Sequence, residues 1–168
     1  METTGNVYWI TGLSGAGKTT IGRLWYQLLC KGKKNVVFLD GDTLRQVFGD
    51  DLGYTEADRR KSAMRNARLC KLLSDQGLDV VCCTISMFPE VWAWNRAHMP
   101  GYVEIYVKVS METLKQRDQK GLYTSADDDV AGLHFHVEEP ENPDIILVND
   151  GETTPEEQIK LILQFIKD

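Results

Sequence analysis

The octapeptide GLSGAGKT at Gly12–Thr19 constrains this sequence more than any other feature. It fits the pattern G-x-x-x-x-G-K-[ST] of the phosphate-binding loop (P-loop), whose glycines let backbone N–H groups turn inward around an anion. Lys18 would then reach the β- and γ-phosphates, and the hydroxyl of Thr19 would ligate Mg²⁺. The motif predicts that a nucleoside triphosphate is held by nine residues, namely Gly12, Leu13, Ser14, Gly15, Ala16, Gly17, Lys18, Thr19 and Thr20.

Strand-like and helix-like segments alternate around this loop, beginning with the apolar run Val7–Thr11 in front of it. Further strands are predicted at residues 35–39, 79–85, 103–109 and 144–148. Helices are predicted to begin at the capping residues Thr55, Ser110 and Thr154, and a short helix is predicted at 43–48. Strands separated by helices imply right-handed crossovers. We therefore predict an α/β protein with a three-layer α/β/α P-loop NTPase fold and a parallel five-stranded sheet, formed by a single domain over residues 1–168.

Polar residues follow the predicted strands where a ligand would bind, since ligands of parallel sheets lie at the carboxyl ends of strands. Asp40 and Asp42 follow the second strand, and Ser86 follows the third. The two acids fit a turn with a helix cap, or they fit phosphoryl transfer. We favour transfer, with one acid on Mg²⁺ or its water and the other polarising an acceptor hydroxyl. Arg45 and Arg59 near the same edge would hold a second anion, which indicates transfer between two phosphorylated molecules.

Bulk properties exclude several classes of protein. The 168 residues carry a net charge of −6, which argues against a nucleic-acid surface. No apolar run approaches the length of a membrane span, and Met1–Gly5 is not a signal peptide, so we expect a cytoplasmic protein without membrane contact. Cys30, Cys70, Cys82 and Cys83 lack metal-ligand spacing. Buried free thiols in a reducing compartment are favoured over a redox role.

Several segments together resemble the adenylylsulfate kinase (APS kinase) family. Besides Gly12–Thr20 they are Asp40-Gly41-Asp42 with Arg45, Asp51-Leu52-Gly53-Tyr54, Asp58-Arg59, Ile85-Ser86, Lys120-Gly121-Leu122-Tyr123 and Pro140-Glu141-Asn142-Pro143. They occur in the order typical of the family over nearly the whole chain. The resemblance implies a kinase that uses ATP and Mg²⁺ to phosphorylate the ribose 3′-hydroxyl of a small nucleotide acceptor, adenylyl sulfate in that family. It also implies a homodimer.

The resemblance further implies roles for individual residues. Asp42 would be the base or the acid that orients the hydroxyl, and Asp40 would act near the metal together with Thr19. Lys120 would contact the transferred phosphate, and Arg117 would lie near the ATP base. The acceptor would be bound by Asp42, Arg45, Tyr54, Arg59, Ser62, Ile85, Ser86, Met87, Lys120, Gly121 and Leu122. Because direct in-line transfer needs no phosphoryl carrier, the serine among these residues is assigned acceptor contact only.

Departures from the family pattern cluster on the acceptor base. Thr124–Glu139 is several residues shorter than in the family and lacks its Phe-Thr-Gly-Ile-Asp stretch, which leaves Phe135 as the candidate to face Tyr54. Ser62 stands where the family has Asn, and Met87 where it has Pro. These departures resemble the cytidine diphosphoramidate kinases of bacterial capsule pathways. We therefore favour cytidine diphosphoramidate as the acceptor, with adenylyl sulfate as the alternative.

Residues 120–139 are predicted to form a mobile lid over the phosphates, because they include two glycines and three consecutive aspartates and have little apolar content. His134 and His136 lie in this lid; without a third ligand nearby, we interpret them as solvated or in contact with nucleotide. A function of another class, a nucleotide-sensing module that binds ATP without turnover, also fits the P-loop. Two acids, two arginines and a lid lysine favour the enzyme, because a sensor needs no acceptor site.

Overall fold

A parallel five-stranded sheet forms the centre of the protein. The computed structural model describes residues 3–118, 121, 123, 130–132 and 136–168. The strands are β1 (Val7–Thr11), β2 (Val36–Asp40), β3 (Asp79–Thr84), β4 (Tyr102–Lys108) and β5 (Ile145–Val148). Their order in the sheet is β2-β3-β1-β4-β5, and every neighbouring pair is parallel. The predicted strands and their parallel arrangement are confirmed, with bounds that differ by at most one residue.

Helices connect the strands. Those in the described residues are α1 (Lys18–Cys30), α2 (Gly41–Val47), α3 (Glu56–Asp75), α4 (Pro89–His98), α5 (Met111–Arg117) and α6 (Pro155–Lys167). The predicted caps are confirmed: the side chains of Thr55, Ser110 and Thr154 accept the N–H groups of the residues three positions on. α4 is not predicted from the sequence, although Pro89 in its first turn is a typical helix start. None of the described helices is long and apolar enough to cross a membrane.

Hydrophobic clusters lie on both faces of the sheet, which gives the predicted three layers. One cluster joins the sheet to α3 and α4, and the other joins it to α1 and α6. The neighbouring thiols of Cys82 and Cys83 point into opposite clusters, as expected from the alternation of side chains along a strand. Cys70 is also buried. The prediction of buried thiols is wrong for Cys30, which is exposed because it is the last residue of α1.

The P-loop helix is seated very closely on the sheet. A Cβ atom at Gly22 of α1 would lie 2.2 Å from the Sγ of Cys83 in β3. Only glycine therefore allows this approach. Because β1 lies between β3 and β4, the loop that leaves β1 opens beside the carboxyl end of β3. This is the position at which parallel sheets bind their ligands.

Candidate active site

The P-loop connects β1 to α1 and carries its lysine at the first position of the helix. Lys18 Nζ donates to the backbone oxygen of Leu13 at 2.7 Å, which holds the ammonium against the loop. The helix N-terminus adds partial positive charge at the same place. Amide groups, a helix end and a cation thus coincide, which is the combination that binds phosphate.

A small cavity opens beside this loop. Its volume is about 150 Å³, smaller than the roughly 300–1,000 Å³ typical of pockets that enclose a drug-sized ligand, so it has the size for phosphate groups rather than for a whole nucleotide. It is lined by Ser14, Gly15, Gly17, Lys18, Thr19, Thr20, Asp40, Gly41, Asp42, Cys83, Thr84 and Ile85. Residues that follow three different strands therefore meet at one cavity, as the strand-end rule predicts.

The hydroxyl of Thr19 and the carboxylate of Asp40 form a pair at this cavity. Thr19 Oγ1 donates to Asp40 Oδ2 at 2.8 Å, while Asp40 Oδ1 accepts the backbone N–H of Asp42 at 3.1 Å. Asp40 is therefore the N-cap of α2, so of the two acids considered for a helix cap it is Asp40 that forms one. Asp42 lies in the first turn of α2 and faces the cavity.

This oxygen pair fits Mg²⁺, which prefers a few protein oxygens together with water and substrate phosphates. Across the described ranges, no group of three or more His, Cys, Asp or Glu side chains could hold a metal ion. A metal bound at Thr19 and Asp40 would thus take its remaining ligands from a nucleotide and from water.

The chain that leaves β3 is held in an unusual conformation beside the cavity. Ser86 has a φ of +33°, which is rare for a residue with a side chain, and its Oγ lies 2.6 Å from Thr84 Oγ1. The hydroxyl of Thr11 in β1 donates to the backbone oxygen of Ile85. Ile85 lines the cavity, whereas Met87 is 2% exposed and packs in the core on the α3 and α4 face.

Three predicted acceptor residues lie close together: Arg45 of α2, Tyr54, and Arg59 of α3. Arg45 Nη2 donates to the backbone oxygens of Leu52 and Gly53, at 2.5 and 3.0 Å. Its guanidinium carbon is 4.2 Å from the ring centroid of Tyr54, and that of Arg59 is 5.4 Å away. Arg59 Nε also donates to the backbone oxygen of Tyr54 at 2.9 Å. Two cations thus lie close to one aromatic ring that remains 54% exposed.

The remaining predicted site residues are spread over several elements and do not form one cluster. Arg117, at the end of α5, donates from Nη2 to the backbone oxygen of Asn149 at 2.6 Å, which places its guanidinium beside the loop after β5. Ser62 is half-buried on α3, and Gly121 is exposed. Four residues with predicted roles lie outside the described residues, namely Lys120, Leu122, His134 and Phe135.

Two residues that the sequence analysis did not place in the site contact the P-loop directly. Tyr123 donates its hydroxyl to the backbone oxygen of Ser14 at 2.5 Å, and Asn149 donates its side-chain amide to the backbone oxygen of Ala16 at 2.7 Å. Burial raises the pKa of Tyr123 to about 12, from an ordinary value of about 10, so its hydroxyl remains a donor into the alkaline range as well as at neutral pH. Asn149 follows β5 directly, so applying the strand-end rule to the fifth strand would have identified it.

Comparison with known proteins agrees with this geometry. The adenylylsulphate kinase family model matches residues 4–148, most of the chain. The chain is 41% identical over 162 residues to the cytidine diphosphoramidate kinase of Campylobacter jejuni, an alignment that covers 94% of each protein. It is 38% identical over 164 residues to an adenylyl-sulfate kinase of Burkholderia ambifaria, covering 94% of this chain and 90% of that relative.

A solved structure shows the same likeness in three dimensions. The Mycobacterium tuberculosis APS kinase CysC, in complex with AMPPNP and APS, superposes with a TM-score of 0.88 at 30% identity. The superposition covers 98% of this chain and 99% of that chain. The P-loop NTPase fold predicted from the sequence is thus confirmed by a structural neighbour as well as by the sheet order.

Proposed function

Because this chain belongs to the adenylylsulfate kinase family, and is therefore an ATP-dependent phosphotransferase, we propose that it phosphorylates the ribose 3′-hydroxyl of a nucleotide. The observation that carries the proposal is the arrangement of Thr19, Asp40 and Asp42 at one cavity beside the P-loop. A protein that only senses ATP needs the phosphate loop but no second acid facing it. The enzyme is therefore favoured over the sensing module considered from the sequence.

In the proposed reaction, the acceptor 3′-oxygen forms a bond to the γ-phosphorus of ATP while the bond between that phosphorus and the β,γ-bridging oxygen breaks. ADP leaves, and the carboxylate of Asp42 takes the hydroxyl proton. Lys18 and the loop amides stabilise the charge that develops on the transferred group. Bound Mg²⁺, held by Thr19 and Asp40, would neutralise further charge on the phosphate oxygens. As the family resemblance implies, we propose that Lys120 contacts the transferred phosphate and that Arg117 lies near the ATP base.

We propose cytidine diphosphoramidate as the acceptor. The anionic part of the acceptor would be held by Arg45 and Arg59, whose guanidinium carbons lie 4.2 and 5.4 Å from the centroid of the exposed Tyr54 ring. A pocket with one aromatic wall instead of two should lose about 1–3 kcal/mol of base binding, if stacking in nucleic-acid sites is a guide. A smaller pyrimidine suits such a pocket. The 41% identity to a cytidine diphosphoramidate kinase supports the same acceptor.

Adenylyl sulfate is the second candidate, and it too has specific support. Identity to adenylyl-sulfate kinases reaches 38%, and the M. tuberculosis neighbour was solved with APS bound. The family motifs at Arg45, Arg59 and Ile85-Ser86 are equally compatible with this acceptor. A preference between the two bases would rest on Tyr54, Ser62 and the segment that contains Phe135.

The two acceptors can be separated by steady-state kinetics. We expect kcat/KM for cytidine diphosphoramidate to exceed that for adenylyl sulfate at one fixed MgATP concentration. ADP release should be measured for both acceptors in the same coupled assay. A Lys18→Ala protein purified in parallel serves as the control for contaminating kinases. A clear preference for adenylyl sulfate would contradict the pyrimidine assignment and leave the kinase assignment intact.

The family resemblance also bears on quaternary structure, and the proposed substrates bear on location. We propose a homodimer, on the family resemblance alone. A cytoplasmic location would suit an enzyme whose substrates, ATP and a second nucleotide, are metabolites of that compartment. The net charge of −6 would repel anionic substrates. Binding therefore depends on local cations, which are Lys18 at the P-loop and Arg45 and Arg59 at the proposed acceptor site.

A further inference from the structure

Backbone direction in the P-loop decides how well it binds phosphate. In a trans peptide the C=O of one residue and the N–H of the next point in opposite directions. A loop carbonyl that is bound on the outer side of the loop therefore turns the following N–H toward the inner side, where the phosphates would lie. Without a hydrogen-bond donor to hold the carbonyl, a glycine-rich backbone populates many conformations. Ordering the loop when phosphate binds then costs free energy.

Tyr123 binds one such carbonyl. Its hydroxyl donates to Ser14 O at 2.5 Å, which fixes the peptide whose N–H belongs to Gly15. The phenol ring is buried in a small cluster with Leu114 and Val130, so it has little freedom to move away. Gly15 also lies next to the Tyr123 ring, since a Cβ there would be 4.0 Å from it.

Asn149 binds a second carbonyl of the loop. Its Nδ2 donates to Ala16 O at 2.7 Å, which fixes the peptide whose N–H belongs to Gly17. The amide cannot flip, because its Oδ1 accepts from Gln158 Nε2 at 3.1 Å and Gln158 is 1% exposed. A Cβ at Gly17, whose φ is +99°, would lie 2.5 Å from Nδ2, so the contact also requires glycine.

The end of α5 anchors both of these residues. Arg117 Nη2 donates to Asn149 O at 2.6 Å, and Asp118 Oδ1 accepts the backbone N–H of Tyr123 at 2.9 Å. Asp118 has a φ of +27°, a conformation that turns the chain sharply after the helix. Two neighbouring residues of one helix end thus hold the partners of two alternate P-loop peptides.

We propose that Tyr123 and Asn149 are positioning residues that hold the P-loop in its phosphate-binding shape and so set the affinity for ATP. The inference rests on the proposed function in one respect, namely that ATP is bound at this loop. Neither side chain needs to touch the nucleotide. Each acts through a loop carbonyl and the N–H that follows it. Tyr123 also links the loop to the segment that contains Lys120, the residue proposed to contact the transferred phosphate.

The variants Tyr123→Phe and Asn149→Ala test the proposal, because they should change KM for ATP but not KM for the acceptor nucleotide. Each variant should raise KM for ATP by about 3- to 10-fold, the effect of one hydrogen bond of ordinary net strength. KM for the acceptor nucleotide should stay within about twofold of the wild type, because the hydrogen bonds that the two variants remove go to carbonyls of the P-loop and not to Arg45, Tyr54 or Arg59. Dissociation constants for AMPPNP, measured by calorimetry, should change by the same factor as KM for ATP.

Tyr8→Phe provides the matched control, since it also removes the hydroxyl of a buried tyrosine, on β1 before the P-loop. It should leave both constants unchanged. An unchanged ATP constant in Tyr123→Phe and Asn149→Ala would overturn the proposal. So would equal losses for ATP and acceptor accompanied by a lower Tm, because they would indicate a general loss of structure. Failure of the wild type to bind AMPPNP would instead contradict the proposed function.

Discussion

Lys18→Ala should lower kcat by about 10²–10³, the loss expected when one preorganised donor to a developing negative charge is removed. In the described structure the ammonium already lies against the loop, 2.7 Å from Leu13 O, so little reorganisation is needed to reach a bound phosphate. The measurement is the rate of ADP formation at saturating ATP and acceptor, with Tm recorded for both proteins.

Lys34→Ala is the matched control for this variant. Lys34 is an exposed lysine between α1 and β2, at the edge of the sheet opposite the P-loop. Its removal changes the net charge equally and should leave kcat within about twofold, because surface substitutions away from special features have small effects. Equal losses in the two variants would show that net charge, not the position of Lys18, matters.

The second large effect is expected at Asp42. Asp42→Asn should reduce kcat by about 10²–10⁴, the contribution of a positioned general base, with little change in KM for ATP. The backbone N–H of residue 42 still reaches Asp40 Oδ1, at 3.1 Å in the native protein, so the N-terminus of α2 should stay intact. The rate should be measured at saturating Mg²⁺ so that metal binding does not limit it.

Asp40→Asn is the comparison that separates the two acids. Asn caps helices about as well as Asp, so the fold of α2 should survive. Losing a carboxylate beside Thr19 Oγ1 should instead shift the Mg²⁺ requirement to higher concentration, with recovery of part of the rate when Mg²⁺ is raised. Identical Mg²⁺ titrations for the two variants would mean that the division of roles between Asp40 and Asp42 is wrong.

Most of the fold follows from local patterns in the sequence. The third strand is an almost continuous apolar run, which is what a strand covered on both faces requires, and its residues Asp79–Thr84 are all buried. The helix Pro89–His98 is not predicted from the sequence, because Trp92 and Trp94 are two positions apart, whereas apolar residues on one face of a helix recur every three or four positions. Trp92 is buried, whereas Trp94 stacks on His98 with ring centroids 4.3 Å apart. Tertiary packing, not local propensity, decides such a segment.

The candidate site also contains some features that the sequence predicts and others that it does not. Thr19 and Asp40 were predictable because a motif fixes one and the strand-end rule fixes the other. The cap of α2 was not, since Asp40 and Asp42 have equal capping ability and only the backbone decides between them. The positive φ of Ser86 could not be predicted either, because the residue usually found in this conformation is glycine.

Sequence patterns do not predict which loop carbonyls Tyr123 and Asn149 bind, although the strand-end rule could have placed Asn149 near the site. Each joins a side chain to a loop carbonyl across more than a hundred positions of the chain. A carbonyl oxygen is present at every residue, so the sequence around Ser14 and Ala16 carries no sign of which partner it binds. Only the packing of α5 and the loop after β5 against the P-loop determines it.

Transfer of labelled phosphate tests the central claim most directly. The protein is incubated with Mg²⁺ and ATP labelled at the γ-phosphorus, and with cytidine diphosphoramidate, adenylyl sulfate or an unmodified nucleotide. We predict one labelled 3′-phosphomonoester per ADP formed with at least one of the first two acceptors, at a rate about 10²–10³ times lower with the Lys18→Ala protein. Labelled inorganic phosphate alone, or no turnover with any acceptor, would contradict the assignment of a nucleotide 3′-kinase.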